Sequence, residues 1–142
     1  MIYNVVINSN NFVGGTNGSN YEYNFDWSNF EEGAYELTFS YNAVASAESR
    51  TLILSIELGT CMNSFTTTSL TNQRFNNTVG LIVPTYRSAG DYSYIASINT
   101  NPPVYLNSRP MKSNFMVSTR NIDGALTDVA VDYVLILSFK KI

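Results

Sequence analysis

The sequence predicts an all-β protein: a two-sheet antiparallel sandwich, built as a single jelly roll of about eight strands. Three observations predict it. Apolar and polar residues alternate with a period of two along most of the chain, no stretch carries a helical apolar face longer than about two turns, and the breaks between runs are filled with Gly, Pro, Asn and Asp.

In order, the alternating runs are IYNVVIN (2–8), YEYNFDW (21–27), AYELTFSYNA (34–43), RTLILSIEL (50–58), VGLIVP (79–84), YSYIASI (92–98), NFMVSTR (114–120) and VDYVLILSF (131–139). The connectors VGGTNGSN, EEG, SAGD, NTNPP and NIDG supply residues that tolerate the backbone angles of turns. Residues 59–78 are polar and too long for a tight turn, so they read as a long crossover of Greek-key type with room for a short extra strand. No repeat, Pro-rich linker or charge block divides the chain, and residues 1–142 read as one domain whose first and last strands pair. An immunoglobulin sandwich typically needs fewer residues and often carries a Cys…Trp…Cys pattern absent here, and an OB barrel would leave strands over.

Alternation assigns Leu37, Phe39, Leu52, Leu54, Ile56, Ile82, Ile95, Phe115, Val117, Val134 and Ile136 to the interior, with Trp27 beside them. The run LIL at 52–54 breaks strict alternation, which directs Ile53 toward a loop or a neighbouring subunit. In AYELTFSY, Tyr35, Leu37, Phe39 and Tyr41 share one face, while Glu36, Thr38 and Ser40 share the other. The preceding FDWSNFEEG places Trp27 and Phe30 around an acidic turn that Gly33 can close with a positive φ. These aromatics read as core and end-cap in preference to a stacking platform for sugars or bases.

Composition narrows function by exclusion. Charged residues are only 13% of the chain and the net charge is −3, while Asn, Ser and Thr make up about a third, so the expected surface is polar and weakly charged. There is no basic patch, and direct nucleic-acid binding is not expected. Cys61 is the sole cysteine, which forbids an intrachain disulfide and fits a reducing compartment. The N-terminal run alternates like a strand and lacks a basic n-region, so it reads as neither signal peptide nor anchor, and no apolar run approaches a membrane span. The sequons at Asn17 and Asn76 are what an Asn-rich chain contains by chance.

The chain has no histidine, which removes Ser-His-Asp and Cys-His catalysis and every histidine-containing metal site. Glu31 with Glu32 and Asp128 with Asp132 are the close carboxylates, and a distant pair such as Glu57 with Asp91 has no local support. NIDG at 121–124 lacks the further acidic ligands of a Ca²⁺ loop and reads as a hairpin turn. The expectation is a protein that is not an enzyme and uses no metal or cofactor.

Two segments carry a resemblance. YNFDWSNFEEGAYELTFSY resembles the aromatic-turn and G-x-Y-x-L-x-F stretch of small single jelly-roll structural proteins of large eukaryotic DNA viruses and virophages. NPPVYLNSRPMKSNFMVSTRNIDGAL with the closing DYVLILSFKKI is similar to their P-x-Y-L-x-x-R-P loop, F-x-V strand, turn and terminal strand. Together they cover about half the chain. The resemblance implies a minor capsid or capsid-associated protein in the virion, assembled in the host cytoplasm, whose partners are other capsid proteins and itself. The alternative is a lectin-like or tumour-necrosis-factor-like module that recognises glycan or receptor.

Within NTNPPVYLNSRPMKS (99–113), Pro102, Pro103 and Pro110 cannot donate ladder hydrogen bonds, which predicts a stiff excursion and not a central strand. Tyr105 and Arg109 in it are candidate interface residues, of the types most enriched at hot spots. The competing expectation is that Tyr105 and Leu106 plug one end of the sandwich while Arg109 pairs with a carboxylate such as Asp91.

Overall fold

The structure, a computed structural model, describes residues 1–15, 20–46, 50–63, 77–88, 91–96, 101–122 and 132–142. Both sequons' asparagines, Asp123 and Gly124 of the NIDG turn, Asp128, and most of the 59–78 crossover lie outside the described residues.

The described chain is all-β, antiparallel and sandwich-like. Its strands are β1 (Ile2–Asn8), β2 (Gly14–Gly15), β3 (Asn20–Asn24), β4 (Tyr35–Ser46), β5 (Leu52–Ile56), β6 (Thr78–Ser88), β7 (Asp91–Ala96), β8 (Val104–Leu106), β9 (Asn114–Arg120) and β10 (Asp132–Lys141). The count is ten where about eight were expected. The two additions are β2 and β8, too short to leave an alternating pattern in the sequence.

Hydrogen bonding runs continuously in the order β1-β10-β4-β7-β6-β5-β9-β3-β2, with β8 on β4. Leaving out the two short strands, the pairs β1·β10, β3·β9, β4·β7 and β5·β6 are nested: first with last, second with second-last, and so inward. Such nesting is that of one long hairpin, which the further pairs β4·β10, β5·β9 and β6·β7 roll up into two layers. The first and last strands do pair, from Ile2↔Lys140 to Asn8↔Val134.

Strand β6 belongs to both layers. Its first half pairs with β5, ending at Leu52↔Ile82, and its second half pairs with β7, starting at Val83↔Ile95. At the changeover the Asn101 side chain acts as a strand substitute. The Leu81 N–H donates to Asn101 Oδ1 at 2.9 Å, and Asn101 Nδ2 donates to the Leu81 carbonyl at 3.0 Å. Gly80 makes room for this clamp, since a Cβ there would come within 2.6 Å of Asn101 Oδ1 and 2.7 Å of the Phe39 ring.

The interior holds Leu37, Phe39, Leu52, Leu54, Ile56, Ile82, Phe115, Val117 and Trp27 as expected. Three assignments are corrected. Ile95 and Val134 are exposed and Ile136 only half-buried, whereas Tyr94, Ala96, Tyr133, Leu135, Leu137 and Phe139 point inward. The cause is the pairing: residues directly opposite in a ladder share a face. Leu135↔Tyr41, Leu137↔Phe39 and Phe139↔Leu37 therefore fix the odd residues of β10 to the aromatic face of β4, and Tyr94↔Ala43 does the same for β7. Ile53 is also buried, so β5 is covered on both faces within the chain itself.

These parities predict a contrast. Leu137→Ala should cost about 2–5 kcal/mol, and Ile136→Ala distinctly less, as read from urea denaturation midpoints. A pH dependence also follows, because the Tyr23 and Tyr133 hydroxyls meet at 2.7 Å inside the core. Burial pushes the Tyr23 phenol up to about 12, and burial, then the bond with Tyr23, pushes Tyr133 up as well. Both lie above the value near 10 of an unfolded tyrosine, so the pair's stabilisation is fully present below about pH 10 and is lost as pH rises through the folded values. The melting temperature should fall steeply above about pH 10 in the wild type, and less steeply in the Tyr23→Phe, Tyr133→Phe double variant.

Candidate functional site

The loop expected to carry function begins as a strand. Pro102 and Pro103 precede β8, Pro110 follows it, and only the Pro-free Val104–Leu106 enters the ladder, through Tyr35↔Leu106, Glu36↔Tyr105 and Leu37↔Val104. The excursion thus carries a three-residue strand between proline-bounded turns, off the main path of the sheet, and is not a central strand. Its outer edge is not bare: the Tyr105 N–H donates to Asn63 Oδ1 at 2.8 Å, and the Tyr105 carbonyl accepts from the Asn63 N–H at 3.3 Å. Alternation buries Val104 and Leu106 and leaves Tyr105 44% exposed. Of the pair expected to plug the sandwich, only Leu106 does so.

Arg109 turns inward to the chain. Its Nη1 donates to the Phe30 carbonyl at 2.6 Å, and its Nη2 lies 3.5 Å from the carboxylate of Glu32; the Asp91 side chain lies outside those described. Glu32 is almost fully exposed, and a pair of that kind contributes little; the buried end of the guanidinium on a main-chain oxygen contributes more. Beside it, the Trp27 indole N–H donates to the Lys112 carbonyl at 2.9 Å. The Leu58 carbonyl accepts from both Met111 and Lys112 N–H groups, at 2.9 and 3.1 Å. Gly59, at φ 71°, lets residues 58–60 pass close under Lys112, where a Cβ would meet the Lys112 backbone nitrogen at 3.0 Å. Residues 107–112 are therefore stitched to the aromatic turn on one side and to residues 57–60 on the other.

The aromatic turn is built from short-range devices. Asp26 accepts from the Ser28 hydroxyl at 2.6 Å and from its N–H at 3.0 Å, starting a 3-10 turn at Trp27–Asn29. The Ser28 hydroxyl is the main reason the Asp26 carboxyl lies below its usual range. Gly33 adopts φ 139°, as its position in EEG requires, and Lys141 Nζ meets Glu31 at 2.8 Å across the turn. Trp27 and Phe30 are buried. Their rings lie 5.5 and 5.1 Å from Phe139 of one layer, and Trp27 lies 5.3 Å from Phe115 of the other.

Between turn and loop lies a cleft of about 550 Å³, lined by Asp26, Trp27, Glu32, Arg109, Pro110 and Met111. Its polar groups are largely engaged with the chain, and the exposed Met111 and Glu32 form its rim. Among the described residues, no three His, Cys, Asp or Glu side chains are grouped to hold a metal ion, and no helix is long and apolar enough to cross a membrane. Cys61 is exposed.

The aromatic turn and residues 104–112, drawn from the segments that carry the sequence resemblance and far apart in the chain, thus form one corner of the molecule. Compared with known proteins, the chain matches no family model and no curated protein. Two connections in the corner had no sequence signal, since main-chain carbonyls of Phe30 and Lys112 accept them. Arg109→Ala should therefore lower stability by about 1.5–3 kcal/mol, the range for hydrogen bonds to charged groups. Tyr105→Ala should stay within about 0.5 kcal/mol of wild type. Paired urea titrations of the two single variants would separate these roles.

Proposed function

We propose that this chain is a non-enzymatic structural protein, a minor capsid or capsid-associated single jelly roll that acts through protein-protein contacts in a virion assembled in the host cytoplasm. The observation that carries the proposal is the corner just described. The aromatic-turn segment and the R-P loop segment, each resembling part of such proteins, meet through Trp27 to Lys112, Arg109 to Phe30 and the β4·β8 ladder. Segments that resemble a family independently and also pack on each other are better support than either alone. The nested strand order supports the jelly-roll part, because two interleaved Greek keys roll up in that way.

In this reading the chain's chemistry is contact chemistry. Most of the aromatics are spent on the interior, so the residues offered to partners include the exposed Tyr105, the rim of the Arg109 cleft, and a surface of low charge that does not repel its neighbours over distance. Arg109 would present the loop, and Tyr105 would make the contact.

The test is protein composition of purified particles of the virus whose genome encodes this chain. The expected result is that the chain co-purifies in fixed stoichiometry with the major capsid protein and stays bound through a salt wash. Its absence from particles removes the proposal, and selective binding to a glycan array would put the lectin-like reading in its place.

A further inference from the structure

We infer that the outer face of the layer β1-β10-β4-β7-β6 is a pairing surface for a second copy of this chain, with the strands of the two copies antiparallel across the interface. The inference rests on the assembly reading for its biological purpose and deepens it by naming a partner and a face.

The outward residues of this layer line up in cross-strand rows. One row runs Asn8, Val134, Asn42, Ile95, Val83, and the next holds Val6, Ile136 and Ser40. Val6 is 64% exposed, Ile95 and Val83 are each 54% exposed and Val134 is 39% exposed. Apolar side chains scattered singly need no explanation, but here Val6, Val134 and Ile136 are ladder neighbours on β1 and β10, and Ile95 and Val83 are paired across β7 and β6, with only Asn42 and Ser40 of β4 between the two groups. Around Ile95, Val134 and Ile136 the surface sinks into a trough of about 750 Å³, with Ser40, Asn42 and Asp132 on its walls.

Size is sufficient. Five strands at about 4.8 Å spacing and eight residues at about 3.4 Å rise give a face of roughly 500 Å² in projection. Because accessible area exceeds projected area, that is close to the roughly 800 Å² per partner of a standard interface.

Shape and charge identify the partner. A uniformly twisted sheet is a saddle, and a two-fold axis lying in the face carries the saddle onto itself, so two copies fit as aligned sheets do within a sandwich. Two such axes exist, along the strands and across them, and the charges choose between them. The outward positions of β10 read Asp132, Val134, Ile136, Ser138, Lys140, a carboxylate at one end and an ammonium at the other. An axis along the strands, lying over β10, would stack Asp132 near Asp132 and Lys140 near Lys140, and lying over β4 would carry β10 onto β7 and pair neither residue with the other. An axis across the strands instead brings each Asp132 to the other copy's Lys140, with the apolar residues between. Glu36 is the other charged residue at the outward positions of β4 and β10, directly opposite Lys140 in the ladder, and an ammonium with three donors can serve both carboxylates.

The test is sedimentation of the purified full chain from about 1 to 200 µM, a range that detects micromolar dimers. The expected result is a concentration-dependent dimer that becomes a monomer in Ile95→Lys, Val134→Lys, with the β-type circular dichroism unchanged. Should that variant lose its β spectrum, Ile95→Thr, Val134→Thr replaces it, with the same expectation. Asp132→Lys or Lys140→Glu alone should weaken the dimer about tenfold or more, and the two together should restore it to within about threefold. A wild-type monomer at the highest concentration overturns the inference, as does a dimer indifferent to the substitutions at 95 and 134. A double charge swap that fails to restore pairing overturns the antiparallel arrangement. The outcomes are separable from those for particles: a dimer absent from virions keeps this inference and removes the assembly reading, and a monomer present in virions does the reverse.

Discussion

The contact on which this end of the molecule depends is Trp27 wedged between the layers, its ring against Phe139 on one side and Phe115 on the other and its N–H on the Lys112 carbonyl. Each part of that arrangement answers a separate physical demand. The rings supply apolar area where two twisted sheets splay apart, and the N–H, which would be costly to bury unpaired, finds a main-chain acceptor. Because that acceptor lies in the 107–112 loop, filling the core also fixes the loop. Arg109 repeats the logic in reverse, reaching from the loop back to the Phe30 carbonyl. Core packing and surface shape are therefore one structure at this corner, and the exposed Tyr105 stands on a rigid base.

Much of the fold was legible in the alternation. The runs at 2–8 and 114–120 coincide with β1 and β9, and the buried face of β4 is legible because Tyr35, Leu37, Phe39 and Tyr41 alternate with Glu36, Thr38 and Ser40; on β5 the inward Leu52, Leu54 and Ile56 are legible and the burial of Ile53 is not. Parity failed where both faces are apolar. In VLILSF, alternation alone cannot choose between Val134, Ile136 and Leu135, Leu137, and the choice falls to the partner strand. Ile95 failed for the same reason, with Tyr94 on one side and the ladder partner Asn42 facing out. The three misassigned residues all belong to the exposed apolar rows. A strand with apolar residues on both sides is ambiguous as a core element for the same reason that it is informative as a surface.

The candidate site was legible by residue type and not by role. Tyr105 is exposed as its place between two buried neighbours demands, but the alternation that exposes it belongs to a strand of three residues, too short to read among three prolines. The prolines bracket the strand without entering it. Arg109 reads from sequence as an interface residue or as the partner of a carboxylate; it does lie by Glu32, but its shorter contact is a carbonyl, a partner every residue possesses and no sequence pattern marks.

The sharing of β6 between the layers has a mechanical meaning. One side of the sandwich is a spine, where a single strand, tied by the Asn101 amide, carries hydrogen bonds from one sheet to the other without interruption. At the opposite side the path simply ends, with β1 in one layer and β2 in the other. Breathing motions must then be those of a book, wide at the fore-edge and small at the binding, and amide protons should exchange with solvent in the same gradient. A force applied by neighbouring molecules would open the β1 side first and leave the spine intact.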